Sequence, residues 1–280
     1  MTELVVRRLL IDLNEPFERH WNGGDAFRSA FFNALSMSFP AGEQFFIDAV
    51  RTAVKRLPQA GRLPFEGAIK GFIGQEATHR RIHALFNGQL ERQGYVNRWE
   101  ERIVLRVQRL AGADARHALA ITAATEHITA VLAEHLLSHP QTLAGAEPRL
   151  TTMWLWHASE ESEHRSTAFD VYRALGGDEV WRRRWMRTVT FFFITDVLRQ
   201  TLANLRHDGA LLRLRTWRSA AAFCFGRGGL VRHAFRPWRA YFSRGFHPEQ
   251  LGGDRGAQWL RDNSAKYVAV HQHRAGTIRA

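Results

Sequence analysis

Two short runs in this sequence have the residue types and spacing to hold metal ions: Glu76-Ala77-Thr78-His79 and Glu161-Ser162-Glu163-His164. In each, a carboxylate and an imidazole stand three residues apart, which on an α-helix places both on one face. His157, four residues before Glu161, shares that face as a third imidazole. Glu43 and Glu126 are single carboxylates at apolar positions of other long periodic segments. A buried, unpaired carboxylate costs several kcal/mol. Four converging in one core therefore call for cations, and two divalent ions balance the charges of Glu43, Glu76, Glu126 and Glu161.

The elements that must position these groups are helices. Inward stripes at three- and four-residue steps run through Phe32, Leu35, Phe39, Glu43, Phe46 and Val50, and through Ile69, Phe72, Glu76, His79, His83, Phe86 and Leu90. Two more run through Leu119, Ala123, Glu126, Ala130 and Ala133, and through Leu150, Trp154, His157, Glu161, His164 and Ala168. This spacing predicts helices over about 25–57, 65–93, 97–111, 114–138, 148–175 and 178–206. Pro40 should kink the first or restart it, because proline lacks a backbone donor and crowds the preceding turn. No sustained strand alternation is present. The expected fold is all-α: a ferritin-like four-helix bundle with additional C-terminal helices. One helical domain is expected over 1–280, with the metal-binding bundle at about 25–175 and a basic helical extension at about 176–280.

The metal ligands expected are Glu43, Glu76, His79, Glu126, His157, Glu161 and His164. His83, Phe39, Phe72, Phe86 and Trp154 are expected behind the ligands or lining a pocket. His127 and Glu134 compete with Glu126 if the helix phase differs by one residue. Glu160 and Glu163 should face outward or stand behind the ligands. His117, His135 and His139 read as surface or helix-end groups, and Cys224 as a buried structural residue.

The chain has 280 residues, with Lys+Arg 39 against Asp+Glu 27 and a formal charge of +12. Residues 1–175 are neutral, so the whole excess lies in 176–280. Only three of the basic residues are lysines (Lys55, Lys70 and Lys266), an arginine bias that also arises from genome composition. The apolar share of 45% excludes a disordered chain. A single cysteine excludes an internal disulfide and a cysteine-ligated cluster. Met1 to Pro16 does not read as a signal peptide, and the apolar run at 188–195 is too short to span a membrane. The expected location is the cytoplasm. Nucleic acid is a disfavoured partner: the Arg182-Arg183-Arg184 run with Arg187 reads as one helix surface without a recognition motif. Residues 181–193 could instead make a peripheral membrane contact or a homodimer interface.

Two families share these residues. The layout resembles a bacterial family of predicted metal-dependent hydrolases over most of the chain. The shared segments are Phe31 to Ser36 with Phe39 to Glu43, Phe72 to His79, and His157 to His164. The ligand pattern is also similar to ferritin-like di-iron N-oxygenases that oxidise arylamines. Their His-x-x-x-Glu-x-x-His run corresponds to His157, Glu161 and His164; Glu76, His79, Glu43 and Glu126 correspond to their remaining ligands. That likeness is confined to the ligands, so no substrate carries over.

The mixed carboxylate and imidazole set suits iron or manganese. The expected function is therefore a non-haem di-iron (or di-manganese) oxygenase or oxidase, an oxidoreductase with two Fe ions, O2 as co-substrate, a small organic substrate and an electron-donor protein or reductant. The alternatives are a dinuclear metal-dependent hydrolase and a non-catalytic metal-binding bundle.

Overall fold

The computed structural model describes residues 4–270. Its elements in chain order are β1 (Arg7–Leu9), α1 (Ala26–Arg56), α2 (Gln59–Arg62), α3 (Glu66–Arg92), α4 (Arg98–Gln108), α5 (Ala115–Ser138), α6 (Pro148–His164), α7 (Thr167–Ala174), α8 (Glu179–His207), α9 (Leu214–Phe225), α10 (Leu230–Ala240), α11 (Arg255–Asp262) and β2 (Tyr267–Ala269). The fold is all-α. Helices α1, α3, α5 and the α6–α7 pair pack on one another as a four-helix core, and α8 lies across α1 and α5. Helix α10 packs on α5, α9 on α1 and α10, and α11 on α6 and α5. The last residues of the expected basic extension, 271–280, lie outside the described residues.

Capping residues set the helix starts. Asp25 accepts from Arg28 N, Asp114 from Arg116 N, and Asp178 from Val180 N and Trp181 N, each satisfying a donor that the first turn leaves open. Helix α1 runs unbroken through Pro40, so of the two expected outcomes, a kink or a fresh start, the fresh start does not occur. Proline leaves the carbonyl of Ser36, four residues back, without its helical donor. Asn87 Nδ2 of α3 donates to that carbonyl at 2.9 Å. The neighbouring helix thus repairs the defect, and no fresh start is needed. Conversely, the helix expected over 148–175 is two helices, broken at Arg165-Ser166 directly after His164.

The short antiparallel pair β1–β2, in the register Arg8↔Val268, was absent from the sequence expectation. Three residues per strand give too little alternation to recognise. The segment leading into β1 crosses α3 closely: a Cβ on Gly71 would lie 2.4 Å from Leu4 Cβ, and one on Gly74 would lie 2.3 Å from Val6 Cγ2. The two glycines admit the segment and so bring Arg7 under the bundle.

Two surface readings change. Arg182 is buried rather than part of an arginine surface; it donates to the carbonyls of Tyr241 and Ser243 and ties α8 to the end of α10. The outer stripe of α8 carries exposed Phe191, Ile194, Leu198 and Leu202. Cys224 is half-buried. Among the described residues, no helix is long and apolar enough to cross a membrane.

Candidate metal centre

All seven residues expected as ligands are buried, and none is more than 4% exposed. Glu43 comes from α1, Glu76 and His79 from α3, Glu126 from α5, and His157, Glu161 and His164 from α6. Glu76, His79, Glu161 and His164 each bring one donor atom within 4.8 Å of the others, as do Glu43, His83 and His157. Two adjacent donor sets therefore exist. His83, expected behind the ligands or in the pocket wall, lies beside the second, with its nitrogens taken up by Ser36 and His157.

The imidazoles follow one rule: each has one nitrogen held by a partner and turns the other toward Glu161 Oε1. His79 Nδ1 is 3.5 Å from that oxygen, His157 Nε2 is 3.2 Å and His164 Nε2 is 3.5 Å. The holding partners are Glu160 Oε2 on His79 Nε2 (3.0 Å), His83 Nε2 on His157 Nδ1 (2.7 Å) and Glu126 Oε2 on His164 Nδ1 (2.9 Å). Such outer contacts fix the tautomer and aim the free lone pair of a metal-binding imidazole.

For His157 the tautomer follows from a chain that begins at Pro40. Asn87 Nδ2 donates to the freed Ser36 carbonyl, so Asn87 Oδ1 is an acceptor. Ser36 Oγ lies 2.7 Å from that oxygen and must donate to it. Its lone pair then accepts from His83 Nδ1 at 2.9 Å. His83 Nε2 is left as an acceptor and takes the proton of His157 Nδ1. His157 Nε2 therefore carries a lone pair that faces a carboxylate oxygen at 3.2 Å. Two lone pairs at that distance repel, and a cation bound by both removes the conflict.

Other orphaned atoms make the same demand. Both oxygens of Glu43 and of Glu76, Glu126 Oε1, Glu161 Oε2, His79 Nδ1 and His164 Nε2 are buried without hydrogen-bond partners. Such groups are rare in folded proteins. Burial, with repulsion among the carboxylates, holds Glu43 and Glu76 well above the usual carboxylate range. Burial pushes Glu126 up to about 7 despite the nearby His164. Burial also acts against ionised Glu161, but the imidazoles of His164, His157 and His79 that surround it hold it well below the usual range. Burial opposes a charge on His79 as well; its bond to Glu160 and the nearby Glu161 carboxylate outweigh it and push the group up to about 10. The donor set, its burial and its orphaned atoms fit divalent ions.

An outer layer supports this cluster. Glu160, fully buried, is bound through Oε1 by Arg7 Nη1 at 3.0 Å. Arg7 also grips Glu163 through two bonds of 2.7 and 3.0 Å, and Gln75 Nε2 donates to Glu163 at 2.8 Å. The sequence reading did not single out Arg7, Ser36 or Asn87. Ser36 and Asn87 have one local signal, a proline inside a helical pattern, which asks for an outside donor without naming it; Arg7 has none.

The aromatic residues divide. Phe39 stacks on His157 at 4.8 Å and meets His83 at 4.6 Å, Trp154 meets His83 at 5.3 Å, and Phe72 meets His164 at 5.1 Å. Phe86 instead stacks on Phe17 in the core, 4.9 Å away. His127 turns to the carbonyl of Pro237, and Glu134 pairs with Arg255. A small apolar cavity of about 40 Å³ ends on His157 and Glu161. A larger one of about 370 Å³ lies between α1, α4, α5 and α8; Phe39 and Thr129 line both.

A family model described as "Predicted metal-dependent hydrolase" matches residues 5–252, from the segment holding Arg7 to the loop before α11. The chain belongs to that family. The predicted metal-dependent hydrolase match covers every candidate ligand and every residue that holds one. It also corrects the expected enzyme class: the family is described as hydrolytic, which overturns the expectation of an oxidoreductase. The choice of oxygenase chemistry rested on the ligand types alone, and carboxylate with imidazole serves hydrolytic centres equally well. No curated protein and no solved structure matches the chain. The likeness to arylamine N-oxygenases therefore gains no support.

Proposed function

We propose that this protein is a dinuclear metal-dependent hydrolase acting on a small organic substrate with an apolar part. The observation that carries this reading is the convergence of three held imidazoles on Glu161 Oε1. Glu76, His79, Glu161 and His164 would hold one ion. Glu43 and His157, with Glu161 between the sets, would hold the second, and the buried second oxygen of Glu126 remains as a further donor. Ions so bound supply Lewis acidity toward a water molecule and toward the scissile carbonyl or phosphoryl group.

The chain's own residues do the rest. Glu160, His83 and Glu126 fix the imidazoles before substrate arrives, so little reorganisation is left for the reaction. Phe39, Phe72 and Trp154 pack against the histidine rings and exclude bulk water, which strengthens the electrostatic interactions inside. The larger cavity is lined mainly by apolar residues, Phe45, Phe46, Ile103, Val189 and Phe193 among them, and shares Phe39 and Thr129 with the cavity at His157. It offers space for the apolar part of the substrate beside the reacting end.

The test uses the full chain stripped of metal and reloaded with Zn2+, Mn2+ or Fe2+ in separate preparations. The substrates are p-nitrophenyl esters of increasing acyl length and bis-p-nitrophenyl phosphate. The expected result is cleavage that requires two metal equivalents and is lost in Glu161→Ala. Stable uptake of two ions with no cleavage of any substrate by any preparation would leave a metal-binding bundle and sink the hydrolase reading.

A further inference from the structure

A second group of three histidines, His135, His139 and His233, lies outside the centre and shares no residue with it. His135 and His139 stand one turn apart at the end of α5, and His233 comes from α10. One ring nitrogen from each lies within 4.8 Å of the others. His135, expected as a surface or helix-end group, stands in the last turn of α5 but is only 4% exposed, and its Nδ1 is buried with no hydrogen-bond partner. His139 donates from Nδ1 to the His135 carbonyl at 2.9 Å, which leaves Nε2 as the atom with a lone pair. That atom sits in a cradle at Gly228, where a Cβ would come within 2.9 Å of it.

No carboxylate is paired with any of the three among the described residues; Glu134, whose charge acts on His233, is itself paired with Arg255. Burial, then repulsion from the neighbouring rings, pushes His135 down to about 3 and lowers His233. The cluster therefore presents three lone-pair donors of one kind. Two imidazoles one helical turn apart and a third from a second helix form a common ligand pattern for Zn2+ and related ions. Neutral nitrogen donors without carboxylate favour late transition ions over Mg2+ or Ca2+.

Helix α10 gives such an ion a structural task. None of its eleven residues is buried. Its polar ties to the bundle include His127 Nε2 to the Pro237 carbonyl (3.0 Å) and Trp238 Nε1 to Thr190 Oγ1 (2.9 Å). Leu230 at its start and Phe223 of α9 wall the small cavity that ends on His157 and Glu161, and His135 lines that cavity too.

We infer that His135, His139 and His233 form a separate site for a Zn2+-type ion, which clamps α10 to α5 and fixes the cavity wall beside the central site. The inference concerns binding and does not depend on hydrolysis by the central residues.

The test is zinc content of the full-length chain after dialysis against excess Zn2+ and gel filtration. His139→Ala and His233→Ala should each hold one equivalent fewer than wild type, while Glu161→Ala should keep the ion at this cluster. A second measurement guards against a misfolded variant. Co2+ added to Glu161→Ala should give the visible absorption of a tetrahedral imidazole site, and His233→Gln in that background should abolish it. Zn2+ should also slow proteolysis between Gly226 and Gly229 in wild type but not in His233→Gln. Equal zinc content in wild type and both alanine variants overturns the inference, as does a Co2+ spectrum that survives His233→Gln.

Discussion

His83 Nε2 and His157 Nδ1 face one another at 2.7 Å between α3 and α6. The contact is the last link of a chain that starts at the helix defect made by Pro40 and ends at a lone pair on His157 Nε2. A backbone irregularity thereby sets the chemistry of a candidate ligand 117 positions away in sequence.

Breaking this chain should weaken metal binding without destroying the fold. His83→Ala leaves His157 free to rotate and to change tautomer. Changes in such outer contacts typically cost 10–100-fold in metal affinity. Competition with a chromogenic chelator measures it, and an affinity within twofold of wild type would refute the holding role. Asn87→Leu also orphans the Ser36 carbonyl, so a further stability loss of about 1–3 kcal/mol is expected.

Glu160→Gln tests the corresponding support of His79. The amide keeps the shape but removes the charge that accepts from His79 Nε2 and pairs with Arg7. Metal affinity should fall by about 10–100-fold while circular dichroism stays unchanged. Glu161→Gln should do worse, because all three free imidazole nitrogens face that one oxygen.

Gly74→Ala should release the N-terminal segment. The new methyl would overlap Val6, and overpacking of this kind costs about 1–3 kcal/mol. Because Arg7 follows Val6, the Arg7–Glu160 pair should be lost with it. Urea denaturation reports the first effect. Hydrogen exchange at residues 5–9 reports the second, and unchanged exchange there would disprove the coupling.

Metal affinity should climb with pH. In the metal-free protein Glu126 holds its proton up to about 7 and His79 up to about 10. A cation displaces these protons, so binding strengthens as pH rises through 7 and continues to strengthen toward 10. Calorimetry in buffers of different ionisation enthalpy should detect proton release on binding near pH 7. Binding that releases no protons would contradict the arrangement.

His127 makes a separate contribution to acid sensitivity. Its ring is buried, and burial pushes its pKa down to about 4 although Nε2 donates to the Pro237 carbonyl. Between 4 and the ordinary value of about 6.5 the unfolded chain binds more protons than the folded one. Stability is therefore complete above about 6.5 and declines as pH falls toward 4, by about 3 kcal/mol in all. His127→Gln should show a smaller loss than wild type in denaturation curves at pH 7 and 4.5.

The helices were legible because their evidence is local. Periodicity and glycine or proline stops placed α3, α4, α5 and α8 within a few residues of their ends. At Pro40 the sequence left a kink or a fresh start open, because the donor to the freed carbonyl is Asn87, 47 positions away. The break at Arg165-Ser166 lies within an apolar pattern that continues into α7. The β1–β2 pair joins segments at opposite ends of the chain, and neither strand is long enough to show alternation.

By itself, the sequence determined which groups could be ligands. Helical spacing puts Glu76 with His79, and Glu161 with His157 and His164, on shared faces, and burying acids on apolar stripes requires cations. Only the tertiary structure decided what holds those groups. Glu160 behind His79, His83 behind His157, Glu126 behind His164, and Arg7 behind Glu160 are contacts between distant segments. The His135–His139–His233 cluster likewise joins two helices. Helical period fixes the direction of a side chain within its own helix. Which neighbour it meets, and therefore which nitrogen keeps its proton, depends on how separate helices pack.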